Sequence, residues 1–329
     1  MILQCFLSMS DPTLQDADEI PDNEQRQFRL PMTMIGERLD KVLATLIPEH
    51  SRSRLQGWIE EGHVLVNGVP GKIRQNVGAD DLLVVTMQQA PEQTAFTPEP
   101  VDFMVVADSA DWIVVNKPAG LVTHPGAGNW SGTLLNGLLY RYPELAHVPR
   151  AGIVHRLDKD TDGLLVVARN EAAQTHFVRQ LQARTMGREY EALVMGHCPG
   201  SGTVTLPIGR DRHVPVRMST VTPIAPKEAI THYERLAFGY IDEAPVSHVQ
   251  CRLETGRTHQ IRVHMHALGH PLLGDTLYNG KSLGQAQRQM LHARRLAFLD
   301  PATDQPRSFN AARPDDMEQV MAAIEWEAQ

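Results

Sequence analysis

Short apolar runs with the character of β-strands constrain this chain more than any other feature. The segments 111–116 (DWIVVN), 163–168 (GLLVVA) and 190–195 (YEALVM) have strand length and are rich in Val, Ile and Leu. Further candidates lie at 232–238, 248–253 and 261–264. These runs outnumber the helical stretches and do not alternate strictly with them. The expected fold class is therefore α+β, built on a mixed, mostly antiparallel sheet instead of a doubly wound parallel one. One clear helix interrupts the series. Asn170 is placed to cap it, and Phe177, Val178 and Leu181 would share its inner face. No repeat of fixed period is present.

The N-terminal third reads differently. From Arg38 the pattern is helical, with Leu39, Val42, Leu43 and Leu46 at i, i+3, i+4 and i+7. Ser51 or Ser53 can cap a second helix over 54–61, with Leu55, Trp58 and Ile59 on one face and Gly62 ending it. VLVNGVP then enters an Asn67-Gly68 turn, and LLVVTM supplies another strand. This makes a small α/β domain over 36–87. Residues 1–35 lack periodicity and read as an acidic, flexible tail, with Met9 an alternative start. Residues 88–99, rich in Pro and polar side chains, read as a linker. Residues 100–329 form the larger domain.

Charge and cysteine usage narrow the class. Cys5, Cys198 and Cys251 share no short spacing, which argues against a disulfide framework or a Cys-based zinc knuckle and fits a reducing cytoplasm. No apolar run reaches the roughly 18 residues that a membrane-spanning helix needs. The opening MILQCFLSMS lacks the basic region of a secretory signal. The formal net charge of −8 looks hostile to nucleic acid. However, acids are concentrated at the two ends: Asp11, Asp16, Asp18, Glu19, Asp22 and Glu24 at one, Asp315, Asp316, Glu318, Glu325 and Glu327 at the other. The stretch between is close to neutral, so it can carry a local basic face.

Three segments concentrate chemistry: HRLDKDTDG (155–163), REY (188–190) and TGRTHQIRVH (255–264). In the first, Asp158, Asp160, Asp162 and Gly163 match the opening of a calcium loop. The twelfth position is then Arg169 in place of a bidentate Glu, and a strand follows. Alternate carboxylates on an extended chain also lie ~6.5–7 Å apart, within the range glycosidases use. The blander alternative is a solvated acidic turn. In the third segment His259, His264, His266 and His270 invite a metal. Within a strand, His264 and His266 would share a face, but Arg257 and Arg262 sit inside the cluster and oppose a divalent ion. For Tyr190 alone, the plainer reading is a core tyrosine on an alternating strand.

Taken together, HRLDKDTDGLLVVA, REYEALVMG and LETGRTHQIRVHMHALGHPLLGD resemble the three signature blocks of the RluA-type pseudouridine synthases. NKPAGLVTHPGAG resembles the block that precedes them and LHARRLAF the one that follows. RLDKVLATLIPEHSRSRLQGWIEEGHVLVNG resembles an S4 RNA-binding domain. The combination is most similar to the RluD subgroup, and the resemblance spans residues 36–312. It implies isomerisation of specific uridines to pseudouridine in large-subunit (23S) ribosomal RNA by a cytoplasmic enzyme. It also implies base flipping and an Asp-dependent rearrangement of the glycosidic bond. Asp158 would be the catalytic carboxylate, Tyr190 would stack on the uracil, and Arg262 would pair with Asp158. Arg156 would fill the gap left by the flipped nucleotide.

Arg38, Lys41, Arg52 and Arg54 in the S4-like unit, and Arg210, Arg212 and Arg217 in IGRDRHVPVRM, are the candidate RNA contacts. No cofactor, metal or membrane is expected, and the chain is expected to act as a monomer. Asp162 departs from the Ser or Thr usual in the family and would add negative charge near Asp158. The competing classes are an RNA-binding protein with an idle second domain, and a glycosidase needing a second acid such as Asp160 or Asp162.

Overall fold

The computed structural model describes residues 25–88, 95–126 and 128–327. The chain divides into two compact units, Met1–Ala90 and Pro91–Gln329.

In the first unit, β1 (Gln25–Arg29), β2 (Glu37–Arg38), α1 (Leu39–Leu46), α2 (Arg52–Glu60), β3 (Val64–Val66), β4 (Val69–Pro70), β5 (Asn76–Val77) and β6 (Leu82–Thr86) follow in order. Leu39, Leu43, Leu55 and Ile59 pack with Val64, Leu83 and Val85 into one core. Ser51 caps α2 by accepting from the Arg54 amide. Asn67 and Gly68 both take positive φ, the geometry of a tight hairpin turn between β3 and β4. The tail expected over 1–35 is shorter at its inner end. β1 pairs antiparallel with β6 from Gln25 to Arg29, and Leu30 is buried. Its alternation is masked in the sequence because Gln25, Gln27 and Arg29 occupy the exposed face. The rest of that tail, 1–24, lies outside the described residues.

The second unit holds a ten-stranded sheet. Its strands are β7 (Met104–Asp108), β8 (Trp112–Lys117), β9 (Asp162–Ala168), β10 (Gly187–Met195), β11 (Ser201–Val204), β15 (Thr231–Ile241), β16 (Ala244–Leu253), β17 (Leu291–Leu299), β18 (Pro306–Asn310) and β19 (Glu325–Trp326). The main path runs β11-β15-β16-β10-β17-β9-β8-β7. Every pairing is antiparallel except β9 with β17. A separate three-stranded sheet comprises β12 (Ile208–Arg210), β13 (Met218–Ser219) and β14 (Ile224–Lys227).

Helices α3 (Leu134–Arg141) and α4 (Glu171–Gln182) contribute to two different cores. Ile113, Val115, Leu165 and Val167 pack with Leu134, Leu135 and Leu138 of α3. Trp112, Val114, Leu164 and Val166 pack with Ala173 and Phe177 of α4. With both faces covered, these strands read as continuous apolar runs. Gly163 makes the parallel contact possible. Its φ is +113°, and a Cβ there would lie 2.4 Å from the Ala293 carbonyl oxygen.

Three further expectations are corrected. Residues 261–264 are not a strand but part of α5 (Gln260–Ala267). Gln260 through Met265 are all buried, so no polar face betrays the helical period, and Ile261, Val263 and Met265 mimic alternation. Val178 on α4 is 37% exposed, whereas Gln180 is buried through bonds to Leu299 on β17. The linker expected over 88–99 is partly built into the second unit: Asn136 on α3 donates to the carbonyls of Ala95 (3.1 Å) and Thr97 (2.8 Å). Residues 89–94 of it lie outside the described residues. A last helix, α6 (Asp315–Ala322), packs Met317 and Val320 into the core. Among the described residues no helix is long and apolar enough to cross a membrane.

The half-buried His124 and His155 and the buried His248 give this fold a defined acid sensitivity. His155 accepts from the Val166 amide, and burial, helped by Arg188, pushes its ring down to about 3. Burial likewise holds His124 and His248 at about 4. Each is neutral in the fold at a pH where the unfolded chain, near 6.5, takes up a proton. Stability is therefore complete above pH 6.5 and is lost as pH falls toward 4 and 3. At pH 5, His155 contributes a loss of at most about 2 kcal/mol. The urea midpoint should fall from pH 7 to pH 5, and by less in His155→Gln. Equal drops in the two proteins would refute the assignment.

Candidate active site

The segment carrying Asp158 is irregular, yet its backbone is tied on both sides. The fully buried Lys117, at the end of β8, points its ammonium at three carbonyl oxygens: Pro118 (2.8 Å), Leu121 (2.8 Å) and Lys159 (3.0 Å). Thr123 donates to the Leu157 carbonyl (2.8 Å), the Gly120 amide to that of Lys159 (2.9 Å), and Arg288 to that of Asp160 (2.9 Å). Burial pulls the Lys117 ammonium down to about 8, against the opposing charges of Asp162, Asp158 and Asp160. Lys117→Met would leave three acceptors without their donor. A stability loss of about 3 kcal/mol or more is expected, read as a lowered denaturant midpoint; an unchanged midpoint would contradict this role.

Held this way, Asp158 presents its carboxylate to Arg262 of α5, whose Nη1 donates to Oδ2 at 3.0 Å. The same guanidinium grips Asp275 with two bonds, Nε to Oδ2 at 2.7 Å and Nη2 to Oδ1 at 2.9 Å. Burial works against the Arg262 cation. Hydrogen bonds and charge from Asp275 and Asp158 overcome it and hold the group above its ordinary range. Arg262 also lies 5.1 Å from the ring centre of the buried Tyr278, a cation–π distance. The Tyr278 hydroxyl meets His259 Nδ1 (2.8 Å) and accepts from the Met218 amide (2.9 Å).

Two clefts of about 510 and 470 Å³ share Arg156, Leu157, Asp158 and His259 as lining. Each is within the size range of small-molecule sites. Tyr190, on β10 and 6% exposed, lines the larger one. Burial raises its hydroxyl above the ordinary value, with Arg188 opposing, so the ring is neutral. Arg156 is exposed and lines both clefts. A carboxylate held by a cation, an aromatic side chain and an exposed arginine thus converge on one space. The arrangement can hold a planar ring against Tyr190 and offer an anionic oxygen to an electrophilic or acidic centre.

The other candidates fall in different places. Asp162 is buried, with Oδ2 at 2.5 Å from His292 Nδ1 and Oδ1 at 3.1 Å from Arg288. It stands at the start of β9, and its charge is met by His292 and Arg288. The histidines of the third segment are occupied separately: His264 with Thr231 and the Leu206 carbonyl, His270 with the Met195 carbonyl. Placing 264 and 266 on a helix also removes the shared strand face. Among the described residues no group of three or more His, Cys, Asp or Glu could hold a metal ion.

In the first unit, Arg38 and Arg52 both bind the buried Asp40, which also accepts from Gln56. Burial pushes Asp40 up, but the hydrogen bonds from those three side chains prevail and hold it at about 2. Lys41 pairs with Glu37 at 3.4 Å, and Arg54 is half-buried on α2. Arg210, the last residue of β12, and Arg212, on the connection to β13, are exposed, whereas Arg217 turns inward to 5.3 Å from the Tyr278 ring centre.

Sequence reasoning assigned no role to Lys117, Arg188, Asp275 or Tyr278. Asp275 was visible only as the last letter of the GHPLLGD block, and nothing local marks it as the partner of a residue 13 positions away.

Comparison with known proteins adds an independent line. A family model described as RNA pseudouridylate synthase matches residues 111–267, and one for the S4 domain matches 37–83. The chain is 46% identical over 312 residues to a ribosomal large subunit pseudouridine synthase D of Neisseria meningitidis serogroup B, covering 91% of this chain and 82% of that protein. It is 43% identical over 308 residues to the protein of that name from Pseudomonas aeruginosa, covering 90% and 94%. Among solved structures, human RNA pseudouridylate synthase domain containing 1 matches with a TM-score of 0.54 at 30% identity, covering 73% of this chain and 91% of that one.

Proposed function

The chain belongs to the RNA pseudouridylate synthase family, and from that membership we propose that it converts specific uridines of large-subunit ribosomal RNA to pseudouridine, with Asp158 as the reacting carboxylate. The observation that carries this reading is the Asp158–Arg262 contact at 3.0 Å, with Asp158 also lining the cleft that Tyr190 lines. The S4 domain and the relatives' names support ribosomal RNA as the partner.

A uridine in a stem is out of reach, so the target nucleotide leaves its stack at a cost of a few kcal/mol. Tyr190 and Arg156 offset this, the first by stacking on the uracil and the second by occupying the vacated position. Asp158 then works at C1′, with Arg262 fixing its carboxylate through the 3.0 Å hydrogen bond. The N1–C1′ bond breaks, the uracil turns, and C5 bonds to C1′. The rearrangement moves no electrons to or from another molecule and needs no cofactor. The enzyme acts in the cytoplasm as a monomer, and Arg38, Lys41, Arg52, Arg54, Arg210 and Arg212 meet RNA phosphates.

Tritium release from large-subunit ribosomal RNA labelled at uracil C5 tests this directly, because forming the new bond displaces that hydrogen. Release in proportion to newly formed pseudouridine is expected. Cleavage of the glycosidic bond without tritium release would point to a hydrolase, and no reaction at all to an RNA-binding protein.

A further inference from the structure

Arg188 is the one strongly buried cation of the larger cleft to which the mechanism above gives no task. It exposes 5% of its surface and stands two residues before Tyr190 on β10, so the two side chains share a strand face, and both line the cleft. Its Nη2 donates to the Glu254 carbonyl at 3.2 Å, while its Nε is buried with no partner among the described residues. No carboxylate pairs with it among those residues. Gly256 makes room for it, since a Cβ there would sit 2.7 Å from Nη1. The other arginines nearby are matched: the buried Arg262 by Asp158 and Asp275, Arg288 by Asp162 and Asp316, and the exposed Arg184 by Glu228 and Glu254. Burial works against the Arg188 charge, with Tyr190 only partly opposing. A desolvated cation without a counter-charge is unfavourable, and it is tolerated where the counter-charge arrives with a ligand.

The reaction supplies one. Whether the carboxylate attacks C1′ or removes a proton beside it, the electron pair of the broken N1–C1′ bond stays with the uracil. The detached ring is an anion whose charge spreads to O2 and O4. When C5 bonds to C1′, the carboxylate leaves C1′ or returns the proton it took from the sugar, the C5 proton leaves to a base and N1 takes one up, so the balance closes without another reagent. Phosphates, by contrast, would meet the exposed Arg150, Arg156 and Arg257 of the same cleft before a group buried beside the aromatic wall. We propose that Arg188 is a catalytic residue that donates hydrogen bonds to the carbonyl oxygens of the detached uracil anion. This rests on the proposed isomerase reading and adds a residue to it.

The test compares Arg188→Gln and Arg188→Lys with the wild-type protein under single-turnover conditions. The RNA carries uridine or 5-fluorouridine at the target, and loss of the N-glycoside is followed by nucleoside chromatography. Fluorine stabilises the departing anion by itself. Arg188→Gln should lose about 10²–10³-fold on uridine, at least tenfold less on 5-fluorouridine, and keep its RNA Kd within threefold. Arg188→Lys should recover part of the rate. Equal losses on the two substrates, or a Kd weakened as much as the rate, would overturn the proposal and make Arg188 a structural or phosphate-holding residue. A wild-type protein that converts neither substrate would instead overturn the isomerase reading itself. A circular dichroism melt of each variant shows that the comparison is between folded proteins.

Discussion

Asp158→Asn is expected to lower turnover at least 10⁴-fold while RNA affinity stays within threefold and thermal stability does not fall. A triad-type nucleophile or base removed from a preformed site leaves only binding and electrostatic assistance. The amide keeps the shape of the carboxylate, so the cleft is not reorganised. Stability should hold because the Asp158 side chain is 16% exposed and Arg262 retains its two bonds to Asp275. Removing one negative charge from the cleft leaves affinity for an anionic RNA equal or stronger. Measured pseudouridine formation and a filter-binding isotherm check the two halves separately. Normal turnover in this variant would remove Asp158 from the mechanism.

Asp275→Ala should behave in the opposite way toward stability. Its carboxylate is 1% exposed and supplies two of the three hydrogen bonds that Arg262 makes to carboxylates. Without it a buried guanidinium keeps one partner, and breaking a buried pair on one side costs about 3–5 kcal/mol. Turnover should also fall, by about 10²-fold, because a guanidinium displaced by an ångström no longer holds the reacting oxygen in place. Denaturant midpoints and single-turnover rates on the same samples read both effects. Two carboxylates on one arginine thus separate into a reacting group, whose loss spares the fold, and a positioning group, whose loss does not. An Asp275→Ala protein with wild-type midpoint and rate would contradict this division.

What the sequence disclosed follows from where the information sits. Strands β8 and β9 were legible because both faces are buried and the apolar run is unbroken. Helix α4 was legible through its Asn170 cap, which accepts from the Ala173 amide at 2.9 Å. Helix α5 was misread because a helix buried on every side shows no 3.6-residue period. β1 was missed because its outward residues are polar and its partner, β6, lies more than fifty residues away. At the site, Asp158, Tyr190 and Arg262 stood out through the family's motifs. The other residues that shape the site did not. Lys117 acts on carbonyls, Asp275 on a side chain from another element, and Arg188 through the absence of a partner. Each of these is a property of the folded contact and not of the local letters. The charge of Asp162 likewise looked like a disturbance until its contacts with His292 and Arg288 were seen.

The most direct measurement is a crystal structure of the Asp158→Asn protein bound to a ribosomal RNA fragment that the wild-type enzyme converts. The account predicts the target uridine clear of its stem, its uracil against Tyr190 and its C1′ about 3–3.5 Å from the side chain at position 158. A target base still stacked in the RNA with the cleft vacant, or seated in a different cavity, would contradict it.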